Sequence, residues 1–295
     1  MKGPRAALVI LDKPKHPQTA LDRALGVTRA AGAHLHLASF CWLPMVTRSD
    51  VFDAHQRRAI RKAAMNERRR WLDALGLDRG LTDTDVDTEV VWTDDVAGWV
   101  EEHVSPAGWD LVVKSVHHSR ALLHTPLDWA LLRHAPVPVL LASTRSHRPT
   151  GHVLATVDLH STDARHQRLN RRVLAAAARF AALSGGKLHC VNAVEIDASF
   201  EDLEFFDAPR MRRKARDSAR RRLEQMLAGY DVAKSRVHLP VGKVGRAVTE
   251  VADRIGADLV VVGTGTRRGL GALLPGSSAE KILTRVSCDV LAVPA

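Results

Sequence analysis

Cysteine is scarce. The 295-residue chain has three, Cys41, Cys190 and Cys288, far apart. An odd, scattered set builds no disulfide framework, is not spaced for zinc, and fits a reducing compartment. Aromatic residues are 4% of the chain, with one tyrosine, which leaves base-stacking platforms scarce. No window approaches the roughly 18 uninterrupted apolar residues of a membrane span. The first apolar run, Ala6 to Leu11, meets Asp12 at once. It lacks a signal peptide's longer apolar core and cleavage site, so a cytoplasmic protein is expected.

What is present is an ordinary globular balance, 45% hydrophobic and 26% charged residues. At roughly 150 residues per domain the length suggests two domains. The net charge is +10, from 43 Lys and Arg against 33 Asp and Glu. A polyanionic partner and an arginine-rich genome both produce such an excess, so charge alone does not specify nucleic acid. Nucleic acid is therefore not expected as a partner.

The chain repeats itself. Asp110-Leu-Val-Val-Lys-Ser returns as Asp258-Leu-Val-Val-Val-Gly, and Pro136-Val-Pro-Val-Leu-Leu-Ala returns as Ser287-Cys-Asp-Val-Leu-Ala-Val. Both halves open with an apolar run ending in an aspartate, Asp12 and Asp158. A tandem duplication follows, with domains at 1–144 and 150–295 and a polar linker from Ser143 to Gly151 that carries Pro149.

Within the second half, strands are predicted at 153–157, 188–194, 236–240, 259–262 and 290–293. Helices are predicted at 165–183, 209–227, 244–255 and 278–286, from apolar stripes such as Val244, Val248, Val251 and Ile255. Gly185-Gly186 ends the first of these helices. The first half reads alike, with strands at 6–11, 34–40, 88–92, 110–114 and 138–142. Strands separated by helices imply an α/β fold of two tandem, open, parallel five-stranded sheets with helices on both faces.

Such a sheet binds ligands outside the carboxyl ends of its strands, where strand order reverses. In the second half those ends carry Asp158, Ala193 and Gly263. The fourth strand then runs into Gly263-Thr-Gly-Thr-Arg-Arg-Gly-Leu-Gly-Ala-Leu-Leu-Pro-Gly-Ser-Ser278. Glycines let backbone amides approach an anion, and Gly276-Ser277-Ser278 at a helix start offers free N–H groups. The same residues also suit a plain strand–helix connection with a serine cap. The loop is not a P-loop, because no Gly-x4-Gly-Lys-Ser/Thr is present.

At these residues the chain resembles the universal stress protein family, once per half and over nearly its whole length. Its first half also carries the segment Thr125-Pro-Leu-Asp-Trp-Ala-Leu-Leu-Arg133, similar to one in the family's tandem-domain type. The resemblance implies an adenine nucleotide alpha hydrolase-like fold and a role in the stress response. The family's ATP-binding branch has Gly-x2-Gly-x9-Gly-Ser/Thr after strand four. Gly263, Gly276 and Ser277 match it, whereas the second glycine is Thr266 here. A threonine at positive φ would be an outlier, so either Thr266 keeps negative φ or Gly265 makes the turn. Arg267 and Arg268 offer charge-assisted contacts to phosphate.

The resemblance thus implies ATP or ADP, with or without magnesium, held in the second domain only. The residues would be Asp158, Ala193, Gly263, Gly265, Gly276, Ser277 and Ser278. Asp158 would approach ribose or metal, or cap the following turn. The Ala193 backbone would approach adenine. The family also pairs its last strands across a dimer, which in a tandem chain implies an intramolecular pseudo-dimer and permits further homodimerisation.

The first half has lost the loop. Its counterpart, Ser115-Val-His-His-Ser-Arg-Ala-Leu-Leu-His-Thr-Pro126, is three residues shorter and contains no glycine. Pro126 also removes a backbone donor where a phosphate would need one. This domain is expected to be structural or to bind a partner.

Several other features carry alternatives. His117, His118 and His124 cluster in that loop, as solvated residues or as metal ligands. Arginine-rich helices at 57–70 and 210–222 read as solvated faces or as anion-binding surfaces. The stretch Glu195–Asp207, acidic with Phe200, Phe205 and Phe206, reads as a crossover loop or as a cover over an apolar, lipid-like ligand. Asp94-Asp95 is placed to favour a helix N-terminus. No catalytic triad or carboxylate pair assembles on spacing grounds, so a weak ATPase is the most enzymatic reading.

One consequence is directly measurable. Titration calorimetry of the isolated first half with ATP is expected to give no binding, and micromolar affinity would overturn its assignment as degenerate.

Overall fold

The computed structural model describes residues 4–48, 50–82, 86–116, 126–144, 150–161, 163–195, 207–265 and 278–295. Two compact units divide them, residues 4–116 with 126–144, and residues 150–295.

The first domain holds β1 (Ala6–Ile10), α1 (Thr19–Ala31), β2 (His34–Cys41), α2 (Pro44–Arg48), α3 (Ala54–Asp78) and β3 (Val86–Trp92), then α4 (Val96–Val104), β4 (Leu111–Val116), α5 (Pro126–His134) and β5 (Val139–Ser143). Its strand order is β3-β2-β1-β4-β5, with every neighbouring pair parallel. The second domain holds β6 (His152–Thr156), α6 (Ala164–Leu183), β7 (Lys187–Val191), α7 (Ala208–Met226) and a 3-10 turn (Lys234–Arg236). It continues with β8 (Val237–His238), α8 (Val244–Ile255), β9 (Leu259–Thr264), α9 (Ser278–Leu283) and β10 (Asp289–Pro294). Its order is β8-β7-β6-β9-β10, again all parallel.

The central strands are nearly continuous apolar runs because helices cover parallel sheets. Val260, Val261 and Leu291 are wholly buried in the second domain, as are Leu8, Val112 and Val113 in the first. Helices α1 and α6 end the same way. Gly32 and Gly185 both take φ of 63°, and the next amides, of Ala33 and Gly186, return to Thr28 and Ala181 carbonyls. That left-handed step favours glycine.

Two predicted boundaries shift. β7 stops at Val191, and β8 has two residues instead of five. Pro240 has no N–H and serves only as an acceptor, for the Val194 amide at 2.8 Å. Pairing resumes as one isolated bridge, Val194 to Val241. Ser143 ends β5 and is not part of the linker.

One contact explains the Thr-Pro-x-Asp-Trp segment. Lys114 of β4 meets Asp128 of α5 at 2.7 Å, and the lysine also donates to the Ser115 carbonyl at 2.9 Å. Asp128 is wholly buried and Lys114 nearly so. The repeat places Val262 and Ala279 at the corresponding positions of the second domain, both buried. One copy therefore has a charge pair here, where the other has two buried apolar residues.

The aromatic residues are also unequally shared. All six tryptophans belong to the first domain. Trp99 lies between Phe40, His103 and Trp109, and Trp109 packs on His36 with ring centres 4.5 Å apart. Trp92 contacts Trp42 and lies under the Arg61 guanidinium.

Breaking the buried pair strands a charge, whereas replacing both members need not. Lys114→Val is expected to destabilise the first domain by about 3–5 kcal/mol. Adding Asp128→Ala should restore most of that loss, and scanning calorimetry of the single and double variants measures it.

Candidate functional site

In both domains the first and fourth strands part at their carboxyl ends, the place where open α/β sheets accept ligands. They part differently. β1 and β4 pair through Ile10 and Lys114. β6 and β9 stop one pair earlier, at Ala155 and Val261. The Thr156 hydroxyl takes over by donating to the Val261 carbonyl at 3.1 Å.

The residue ending the fourth strand follows from what the first helix does above it. In the first domain Ser115 is wholly buried, and its hydroxyl accepts the Ala20 amide at 2.8 Å, capping the start of α1. In the second domain α6 begins further upstream, so a helix side chain, Leu169, lies over the strand end. A Cβ on Gly263 would stand 2.8 Å from the Leu169 side chain. Gly263 thus has a packing reason of its own, independent of any phosphate. Two residues on, Gly265 adopts φ of 67°, so it makes the turn that Thr266 could not make cheaply. Ser278 opens α9. Thr266, Arg267, Arg268, Gly276 and Ser277 lie outside the described residues, as do His117, His118, His124 and the phenylalanines at 200, 205 and 206.

Asp158 follows β6 and is exposed. Its carboxylate accepts the His160 amide at 2.8 Å, closing the turn after the strand. Its backbone is held by Asn170 of α6. The Asp158 amide donates to Asn170 Oδ1 at 3.0 Å, and Asn170 Nδ2 donates to the Asp158 carbonyl at 2.7 Å. In the first domain Gln18 accepts the Asp12 amide at 3.1 Å, so an amide side chain holds the same turn in both copies. Ala193 is buried just past β7. The neighbouring Asn192 donates its side-chain amide to the Val157 carbonyl at 3.1 Å, tying that strand end to β6.

Beside Asp158 opens a cleft of about 340 Å³. Leu159 and Ser161 line it from the turn, Gln167, Asn170 and Arg171 from α6, and Arg222, Gln225 and Met226 from α7. It brings two guanidiniums and several amides around one carboxylate, a lining suited to a polar, anionic molecule. The cleft does not take in Gly263, Gly265 or Ala193. Sequence reasoning found Asp158 but not Arg171, Arg222 or Gln225. The only hint was that an arginine-rich helix follows the second strand.

Glu195 has a definite task as well. Its carboxylate accepts the Val244 amide at 2.7 Å, capping α8, where Lys243 supplies no side-chain cap. In the first domain Asp95 performs the same service for α4, accepting the Gly98 amide at 2.9 Å. The basic face of α3 is partly used within the domain. Arg61 covers Trp92 and Arg68 covers Trp71, at 5.5 and 5.6 Å. Burial pushes the Cys190 thiol up to about 12, so it stays protonated and inert at neutral pH. Burial, then the neighbouring Asp289, pushes Cys288 to about 12 too. Among the described residues no cluster of three His, Cys, Asp or Glu side chains is arranged to hold a metal. No described helix is long and apolar enough to cross a membrane.

The universal stress protein family model matches this chain twice, at residues 4–143 and 152–294. The chain belongs to the universal stress protein family. It resembles universal stress protein E of Escherichia coli (strain K12) with 26% identity over 299 residues, 97% of this chain and 92% of the relative. A functionally unknown protein from Pseudomonas aeruginosa PAO1 superposes with a TM-score of 0.72 at 26% identity, covering 99% of this chain and 92% of its own. A putative universal stress protein from P. aeruginosa UCBPP-PA14 gives 0.70 at 25%, covering 99% and 93%. The tandem architecture read from the repeat, and the stress-response family to which the glycine loop and the Thr125–Arg133 segment pointed, are thus shown.

In this stress protein Asn170 is the residue on which the site turn depends. Asn170→Ala would leave both Asp158 main-chain groups without their partner and cost the second domain about 1–3 kcal/mol. Differential scanning calorimetry should show the second domain's transition lowered and the first domain's unmoved.

Proposed function

We propose that the second domain of this stress protein holds ATP or ADP at the carboxyl ends of β6, β7 and β9, as a nucleotide-sensing module. Asp158 would meet the ribose, the Ala193 backbone the adenine, and Gly263, Gly265, Gly276, Ser277 and Ser278 the phosphates. The observation that carries this reading is Gly265. It turns left-handed directly after β9, so a mismatched Thr266 need not adopt positive φ and the glycine spacing can still serve an anion.

Magnesium would enter with the nucleotide, held through its phosphates and water, and through the exposed Asp158 carboxylate where that group faces the metal instead of the ribose. Among the described residues the carboxylates at this end of the sheet, Asp158 and Glu195, both already accept backbone amides. A sensor or holder therefore fits better than an efficient ATPase. The first domain, with Ser115 bound to Ala20 and Lys114 bound to Asp128, is read as structural or partner-binding.

The cleft beside Asp158 favours a second reading. Arg171 and Arg222 would suit a small anionic ligand other than a nucleotide, held between α6 and α7.

Equilibrium dialysis of the full chain with ATP and ADP separates these. One nucleotide per chain is expected, with affinity at least tenfold weaker in Gly276→Arg and in Gly265→Val. Lack of binding at millimolar nucleotide would overturn the proposal. Binding lost in Arg222→Ala but kept in Gly276→Arg would move the ligand to the cleft.

A further inference from the structure

Three histidines of the second domain stand in line across adjacent strands. His152 of β6 places Nδ1 2.7 Å from His189 Nε2, and His189 Nδ1 lies 3.0 Å from His238 Nε2 on β8. The rings of His189 and His238 are stacked, 9° from parallel. His189 is buried. The first domain has the same scaffold with different chemistry. There His36 of β2 meets Glu89 of β3 at 3.2 Å, and His34 meets Asp87 at 2.9 Å. A carboxylate occupies the place where the second domain has His238.

Proton counting sets the limit of this ladder. Three imidazoles offer six ring nitrogens, and each of the two gaps holds one proton. Neutral rings supply three protons, two for the gaps and one for an outer end. A fourth proton fits at the other end without breaking either hydrogen bond. A fifth must set N–H against H–N in a gap. The folded ladder therefore takes at most one proton above neutrality, whereas the three free histidines of an opened chain take three below pH about 6.5.

The surrounding charge works in the same direction. Lys187 of β7 and Arg236 of the 3-10 turn act on His189, and Arg254 of α8 acts on His238. Burial, then the two flanking rings, then Arg236 and Lys187, lowers His189 to about 4, and burial, then Arg254, lowers His238. The affinity for protons is thus lower in the folded state. The stability the ladder contributes is complete above pH about 6.5 and is lost as the pH falls toward 4.

The strand at its end is the one least able to resist. β8 is a two-residue edge strand, paired to β7 only at Cys190–Val237 and Val191–His238. The His238 carbonyl also accepts the Asn192 amide at 3.1 Å, next to Ala193.

We propose that the His152–His189–His238 ladder is an acid-sensitive latch that releases the β8 edge of the second domain as the pH falls from 7 to 5. The latch does not depend on nucleotide binding. Opened imidazoles take up protons that the intact ladder excludes, so acid would favour the state in which β8 is free of β7 and the Asn192–Ala193 strand end is loosened. The first domain would keep its sheet edge over the same range, because β3 pairs with β2 through seven residues rather than two, and the Glu89 carboxylate works against the burial that lowers His36.

Hydrogen exchange of the full chain at pH 7.0 and 5.0, corrected for intrinsic rates and without nucleotide, tests this. Peptides covering 187–194 and 237–242 should lose protection on the order of tenfold at pH 5.0, while those covering 34–41 and 86–92 should not. His189→Gln, which removes the central titrating ring, should abolish most of the loss. His238→Glu, which copies the first domain's pairing, should do the same. Unchanged protection in the unsubstituted chain would overturn the latch, and so would equal loss in the variants. Should a variant fail to fold, nitrogen-15 histidine spectra of the unsubstituted protein decide. The His189 ring is expected to be neutral at pH 5, and a charged ring there with β8 still protected would overturn the proposal.

Discussion

The end of the fourth strand in each domain must coexist with the helix that follows the first strand. That one steric constraint organises much of the rest. Where the helix starts late, a side chain with a hydroxyl fits beneath it and caps it, as Ser115 does for Ala20. Where the helix starts early, a leucine comes down on the strand and only glycine leaves room, as Gly263 does for Leu169. The two solutions have opposite effects on the strand ends. One fills the space with a hydroxyl bonded to the helix, and the other with a leucine packed on a glycine, two residues before a left-handed glycine turn.

The duplication kept positions and changed their chemistry in matched sets. Lys114 with Asp128 corresponds to Val262 with Ala279, so a charge and its partner changed together. Neither mixed combination would be tolerable, because each would bury a lone charge. The histidine positions behave alike. His36 has Glu89 and Trp109 for neighbours, whereas His189 has His238 and His152. With the bulk of Trp109 replaced by Ala257 in the repeat, there is room for a third imidazole on the neighbouring strand.

Much of the architecture was legible before any coordinates. The repeat, the strand–helix alternation and the glycine ends of helices are local or periodic signals, and α6 and α8 fall within a residue of their predicted spans. Asp94-Asp95 was legible as a pair favouring a helix start, and Asp95 turns out to cap α4 directly. The cleft was not, because Arg171 and Arg222 are brought together by tertiary packing of two helices, and the sequence marked only the second of them as a solvated or anion-binding face. The histidine ladder escaped notice because His152, His189 and His238 are far apart in sequence, and strand register alone aligns them. Glu195 looked like part of an acidic loop. Only the missing cap at Lys243 hinted that α8 needed a carboxylate from elsewhere. The double role of Gly263 was invisible too, since spacing shows a glycine but not which neighbour demands it.

The crowding of every indole into one half makes the molecule optically lopsided. Ultraviolet-excited emission comes almost entirely from the leading domain, where Trp99 and Trp109 are close enough to His36 and His103 for imidazole protonation to quench them. The trailing domain, with Tyr230 as its one other fluorophore, is nearly dark. A melting curve recorded by emission would therefore describe half the chain, and rearrangements around Asp158 or β8 would pass unseen unless a reporter were placed there.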